Sequence, residues 1–293
     1  MNIIDLHVHS KYSIDGEKPV TELLEIAQKS GLTHIAICDH NTAAAYQDLV
    51  DTPVKVIPGI ELDCTFDDTN FHLLGYNIDP LSPIYEQLHQ KIQQMEYEGG
   101  LKRLDYCRNV MGLHLDQSAL DNLCPDHVFI AESIAEIAMS DPLNQDNQYL
   151  KEFFPGGTHS ANPQVEFYWE YFSEGKPGYT PIQFIKMEEA IELYRSQGAL
   201  VVLAHPGQNL KYPEQLTKIV DLGIDGIEAY SNYHSENAKQ SYRDFANSHN
   251  LLVTCGSDYH GKTKPAIKMG ETGMSYEEQC ALVKALDRLI KNT

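Results

Sequence analysis

Basic residues are scarce in this chain. Lys and Arg together number 22, only five of them Arg, against 42 Asp and Glu in 293 residues, for a formal charge of −20. Such a surface repels long polyanions and argues against coating duplex nucleic acid or lying on an anionic membrane. Long apolar runs are lacking too. The longest, such as residues 199–204 (ALVVLA), fall far short of the roughly 20 residues a membrane span needs. The six cysteines (Cys38, Cys64, Cys107, Cys124, Cys255 and Cys280) contain no CxxC and no close pair, so no disulfide framework is implied. The opening MNIIDLHVHS has neither a basic n-region nor an apolar h-region. Reduced, mostly buried thiols and a cytoplasmic location are expected. Neither an internal repeat nor a low-complexity tract is present.

What the chain does have is an alternation of short apolar runs with amphipathic segments. Ile3–His9, His34–Cys38, Val54–Ile57, Phe71–Tyr76, Ala199–Ala204, Gly226–Tyr230 and Leu251–Cys255 read as buried strands. Pro19–Ser30 reads as a helix opened by proline, with Val20, Leu23, Leu24 and Ala27 on one face and Gly31 after it. Further helices are expected over 188–197, 213–222 and 236–249. The alternation predicts an α/β fold with a parallel sheet, and the number of strands favours a closed or nearly closed barrel over a doubly wound open sheet. The rhythm breaks between about Ile84 and Ile185, where a polar helical stretch, the pair Gly99-Gly100, helical periods at 101–111 and 128–139 and an aromatic run over 165–172 follow one another. Two parts are therefore expected: a barrel from 1–84 and 186–293, and a mainly helical, substrate-capping insertion over 85–185.

The residues that carry chemistry fall at strand ends. In Asp5-Leu6-His7-Val8-His9, alternation turns both imidazoles to one face, where they can converge on one ion. The same spacing recurs at Asp258 and His260, which leave the last strand together. Between them lie Asp39-His40, Glu61, His72 and His205, each at the end of or inside an apolar run. Burying such groups beside strand hydrophobes is costly unless they are paired or ligate a cation, and a shared metal cluster satisfies the whole set at once.

With these motifs in view, the sequence resembles the PHP (polymerase and histidinol phosphatase) family of metal-dependent phosphoesterases over about residues 2–80 and 186–270. The likeness is to the branch acting on nucleotide and RNA-end phosphates, through Asp5-Leu6-His7-Val8-His9-Ser10, Ser13-Ile14-Asp15-Gly16, Cys38-Asp39-His40-Asn41, Gly59-Ile60-Glu61, the large insertion and Gly175-Lys176-Pro177-Gly178-Tyr179. The resemblance implies a distorted seven-stranded β/α barrel with metals at the carboxyl ends of its strands. Carried over by residue, His7, His9, Glu61 and Asp258 hold one ion, Glu61, His72 and His205 a second, and Asp15, His40 and His260 a third. Asp15 stands where some relatives have histidine, and a carboxylate is an acceptable ligand there.

Imidazole and carboxylate donors without thiolate suit two to three divalent ions of Mn, Fe or Zn rather than a dedicated Ca or Mg cage. Such ions lower the pKa of a shared water, which supplies the hydroxide, and neutralise phosphoryl oxygens, so an acidic chain can still take an anionic substrate. His205 and Asp258 are the candidates for protonating the leaving group. Lys176, Arg103 and Arg108 are the candidate substrate contacts. His127-Val128-Phe129-Ile130-Ala131 departs from the Arg-Pro-His-Ile-Ala of that branch and loses a basic contact.

The expected activity is hydrolysis of a small nucleotide-like phosphoester: a nucleoside 3′,5′-bisphosphate, a cyclic nucleotide or a short RNA 5′ end. Two alternatives stand beside it: a histidinol-phosphate-type phosphatase for a small metabolite, and a non-catalytic metal-binding regulatory module, which loss of a ligand would favour. An amidohydrolase ranks lower, because no lysine stands at a strand end to bridge metals as a carbamate. The sequence sets no oligomeric state.

Overall fold

A computed structural model describes residues 2–124 and 127–290. In chain order the elements are β1 (Ile4–Val8), α1 (Val20–Lys29), β2 (His34–Ile37), β3 (Lys55–Phe66), β4 (Thr69–Tyr76), α2 (Pro83–Asp105), α3 (Gln117–Leu123), α4 (Ala131–Ser140), α5 (Pro163–Tyr171), β5 (Ile185–Lys186), α6 (Met187–Ser196), β6 (Leu200–Leu203), α7 (Pro206–Asn209), α8 (Pro213–Asp221), β7 (Gly226–Ser231), α9 (Glu236–Ser248), β8 (Leu252–Gly256) and α10 (Tyr276–Leu289). Seven strands follow one path, β1-β2-β3-β4-β6-β7-β8, with the short β5 added beside β3. The ends of the path meet: His9 N–H donates to the Tyr259 carbonyl (2.9 Å) and Asp258 N–H to the His7 carbonyl (2.8 Å). The result is a nearly closed seven-stranded α/β barrel.

All seven expected strands form, because each is an apolar run too short for a helix and bounded by polar or turn residues. Helix α1 buries Val20, Leu23, Leu24 and Ala27, the face its spacing predicted, and packs them with Ile35 and Ile37 of β2. Burying a leucine such as Leu23 completely contributes about 2 kcal/mol. The barrel interior is filled by Ile4, Leu6, Ala36, Leu74, Val202, Ala229 and Cys255. All six cysteines are free thiols, and all but Cys280 are buried.

The expected parallel sheet is interrupted at β4, which runs antiparallel to both β3 and β6. The cause is a two-residue hairpin: Phe66 pairs with Thr69, and Asp67 and Asp68 turn the chain with φ of 46° and 53°. Two adjacent left-handed residues make the tight turn whose twist matches the flanking strands, a geometry that Asp tolerates. Strand β3 is also longer than its first apolar run. Pro58-Gly59 lies where β3 exchanges its parallel partner β2 for the antiparallel β4. A side chain at 59 would come within 2.8 Å of Cys38 Sγ, so glycine is needed for close approach rather than for a turn.

The chain divides into two compact units, Met1–His89 with Phe184–Thr293, and Gln90–Gln183. The second has its own core, built from Leu104, Cys107, Leu120, Ile134, Phe153 and Phe167 among others. Helix α2 runs through Gly99-Gly100 instead of breaking there. A Cβ on Gly100 would stand 2.9 Å from the Phe129 amide nitrogen, so the glycine lets that segment pack against the helix. Of the aromatic run, Phe167 and Phe172 are core residues while Trp169 is 57% exposed. Among the described residues, no helix is long and apolar enough to cross a membrane.

Candidate metal centre

The parallel strands β1, β2, β6, β7 and β8 point their carboxyl ends to one side of the barrel, and the side chains of interest leave from there. His7 and His9 come from the end of β1, His40 follows β2, and His205 follows β6, while Asp258 and His260 follow β8. Glu61 and His72 reach the same place from inside the β3–β4 hairpin. Its register pairs Asp63 with His72 and Glu61 with Leu74.

Glu61, fully buried, is the hub. Its Oε2 lies 3.0 Å from His7 Nε2, 3.2 Å from His9 Nε2 and 3.4 Å from His40 Nδ1. Its Oε1 lies 2.9 Å from His72 Nδ1 and 3.2 Å from His205 Nε2. Asp258 Oδ1 stands 3.3 Å from His7 Nε2 and 3.0 Å from His9 Nε2, and Asp15 Oδ2 stands 2.9 Å from His260 Nε2. Five imidazoles thus lie within reach of one carboxylate, an arrangement that can present several ring nitrogens to shared cations.

The outward ring atoms set the tautomer. His7 Nδ1–H donates to Glu228 (3.0 Å), His9 Nδ1–H to Ser13 Oγ (3.1 Å), and His260 Nδ1–H to the Asp258 carbonyl (2.8 Å). Anchoring one proton on Nδ1 means that the neutral ring has its Nε2 lone pair facing inward, the tautomer a metal ligand requires. Several inward atoms, including His9 Nε2, His40 Nδ1, Asp258 Oδ1 and His260 Nε2, are buried and have no hydrogen-bond partner. Buried polar atoms are ordinarily paired. A group of unpaired acceptors converging on shared points fits bound cations. Among the described residues, three sets have one ligand atom each within 4.8 Å of the others: His7, His9, Glu61 and Asp258; His9, Asp15, His40 and His260; and His40, Glu61 and His72.

Charge in the cluster follows from these contacts. Burial opposes ionisation of Glu61, but His7, His40 and His72 outweigh it and hold the carboxyl well below its usual range. Burial likewise opposes Asp258, and Lys264, His260 and His7 overcome it. Burial disfavours the charged forms of His7 and His40, yet the carboxylates around them raise both well above an ordinary imidazole. At His9 burial prevails, with His260 adding repulsion, and its pKa falls to about 4. Two of the candidate ligands carry backbone torsions rare outside glycine: His205 with φ of 20° and Asp258 with φ of 57°. Such strain persists only where surrounding bonds enforce it, and it gathers at functional sites.

All nine residues proposed as ligands from the sequence, Asp15 included, are thus brought to one place. The three candidate substrate cations are not among them. Each has a partner inside the second unit: Arg103 with Glu96 (3.1 Å) and the Phe129 carbonyl (3.3 Å), Arg108 with Gln117 (2.7 Å), Lys176 with Glu170 (3.4 Å). Sequence reasoning passed over four residues at the cluster. Asp63 Oδ1 stands 3.1 Å from His40 Nδ1 and 3.2 Å from His72 Nε2. Tyr233 and Lys264 both donate to Asp258 Oδ2, at 2.5 and 2.7 Å, and Glu228 supports His7. Asp63 and Glu228 were legible by the criterion that found Glu61, a carboxylate within an apolar strand. Tyr233 and Lys264 lie in loops and carry no such signal.

A barrel with imidazoles and carboxylates gathered at its strand ends defines a class, the metal-binding barrels. Within that class the chain belongs to the PHP family: the model of the PHP domain matches residues 5–292. It is a hydrolase of phosphoric esters. It is 24% identical over 280 residues to the 3′,5′-nucleoside bisphosphate phosphatase of Chromobacterium violaceum, covering 92% of this chain and 91% of that one. It is 25% identical over 281 residues to the 5′-3′ exoribonuclease Rnm of Escherichia coli, covering 92% and 88%. It is 27% identical over 267 residues to the phosphoribosyl 1,2-cyclic phosphate 1,2-diphosphodiesterase of Eggerthella lenta, covering 89% and 95%. A solved structure from Bifidobacterium adolescentis, described as a metal-dependent phosphoesterase, shares the fold with a TM-score of 0.74 at 23% identity, over 97% of this chain and 96% of that one.

Proposed function

We propose that this enzyme hydrolyses a phosphomonoester or phosphodiester of a small nucleotide-like substrate, in the range of a nucleoside 3′,5′-bisphosphate, a cyclic nucleotide or a short RNA 5′ end. The observation that carries the reading is the convergence of unpaired, buried imidazole nitrogens and carboxylate oxygens on Glu61 and Asp258. Divalent Mn, Fe or Zn held there would supply a water of lowered pKa and positive charge at the phosphoryl oxygens. His7, His9, Glu61 and Asp258 would hold one ion, and Asp15, His40 and His260 a second. Glu61 and His72, with His40 or His205, would hold a third. Asp63 would orient His40 and His72.

Between the two acid candidates we favour His205, with His40 rather than His205 then completing the third ion's ligands. Asp258 accepts from both Tyr233 and Lys264 and stays ionised, which suits a ligand and not a proton donor. Substrate selection is assigned to the helical insertion, because it is a separate unit with its own core and holds the candidate substrate cations Arg103, Arg108 and Lys176.

Phosphate release from protein reconstituted with Mn²⁺ tests the proposal across bisphosphates, cyclic nucleotides, short oligoribonucleotides, sugar phosphates and histidinol phosphate. Preferential turnover in the first three groups supports it. Turnover of histidinol phosphate alone would transfer the assignment to small-metabolite hydrolysis.

A further inference from the structure

Glu228 lies in the middle of β7 with none of its surface exposed. Its two oxygens serve two different strands: Oε1 accepts from His7 Nδ1–H at 3.0 Å, and Oε2 accepts from the His205 backbone N–H at 2.9 Å. The neighbouring strand makes room for it. A Cβ on Gly256 would stand 2.2 Å from Glu228 Oε1 and 2.2 Å from His7 Cβ, so β8 admits no side chain at that point. The carboxylate therefore occupies space the fold leaves for it, between a candidate ligand on β1 and the strained backbone of another after β6.

We infer that Glu228 is a positioning residue that fixes the proton of His7 on Nδ1 and holds the His205 turn in place, so that the cation positions on both sides of Glu61 are built together. The inference rests on the metal-site reading above. Acceptor count decides the role. A carboxylate accepts at both oxygens, whereas an amide of the same shape accepts at one and donates at the other. With Glu228→Gln, an amide oxygen kept toward His7 sets an NH₂ against the His205 N–H, and that backbone loses its restraint. Turned the other way, the NH₂ donates to His7 Nδ1 and moves the ring proton to Nε2, the atom that faces Glu61 and Asp258. Both orientations damage the site in the same direction.

The test is a calorimetric titration of Mn²⁺ into cation-free wild type and Glu228→Gln, with a long-range ¹H–¹⁵N histidine spectrum of the Zn²⁺-loaded wild type. The expected results are cation binding weakened on the order of 10–100-fold in the variant, and a His7 ring protonated on Nδ1. The spectrum needs no variant and so stands even if Glu228→Gln folds poorly. Unchanged affinity in the variant, including unchanged affinity with a lowered melting temperature, would reduce Glu228 to a packing residue, and so would a His7 proton on Nε2. A wild type that takes up neither Mn²⁺ nor Zn²⁺ would remove the metal-site reading itself, and the inference with it.

Discussion

Glu61 touches His7, His9, His40, His72 and His205 through two oxygens. Glu61→Ala is accordingly expected to abolish turnover and to lower bound metal by at least one equivalent per chain, read by elemental analysis of the purified variant. A second consequence concerns protons. Burial opposes charge on His7 and His40, but their carboxylate neighbours raise both above the ordinary imidazole range, so the cation-free site carries protons at neutral pH. Ligation requires the neutral ring, so cation uptake must displace them and affinity must rise with pH through the neutral region. Calorimetry at pH 7.5 in buffers of different ionisation enthalpy is expected to show proton release. A heat independent of buffer would mean that the rings are already neutral. His7, His9, Glu61 and His72 were legible in the sequence because a charged or ring-nitrogen side chain within an apolar strand is costly to bury unless it is paired or ligates a cation. Asp63 and Glu228 fit the same rule and were passed over, and Tyr233 and Lys264 reach Asp258 from loops whose sequence says nothing of where they fold.

At the scale of elements, the β3–β4 hairpin sets the site's architecture, since it carries Glu61, Asp63 and His72. Strand existence was readable from apolar runs, but strand direction was not: it is decided by a turn of two aspartates that lacks the usual Asn-Gly signature. Asp68 holds φ at 53° on an exposed corner, whereas Asp67 also pairs with Lys218 at 2.7 Å. Asp68→Gly should relieve the left-handed strain without touching that pair, stabilising the protein by about 0.5–1 kcal/mol in urea unfolding. The opposite sign is expected at Gly100. Alanine is the better helix former by about 1 kcal/mol, but its Cβ would meet the Phe129 backbone at 2.9 Å, and overpacking against backbone costs about 1–3 kcal/mol. A Gly100→Ala protein with an unchanged or raised melting temperature would show that the insertion yields there. The sequence offered no way to distinguish a helix-breaking glycine pair from a close-packing one.

For the whole molecule, the net charge of −20 and the concentration of buried carboxylates at one end of the barrel have a common consequence. Divalent cations bound only by the folded chain stabilise it by mass action, about 2.7 kcal/mol for each site at a free concentration one hundred times its Kd. The most direct measurement is metal content and thermal stability on one preparation, before and after chelation and after reloading with Mn²⁺, Fe²⁺ or Zn²⁺. Two to three equivalents per chain, lost on chelation with a fall in melting temperature and in phosphate release and restored by reloading, is the predicted result. A protein that takes up none of the three ions, or that hydrolyses phosphoesters equally well without them, would contradict the assignment of a metal-dependent site.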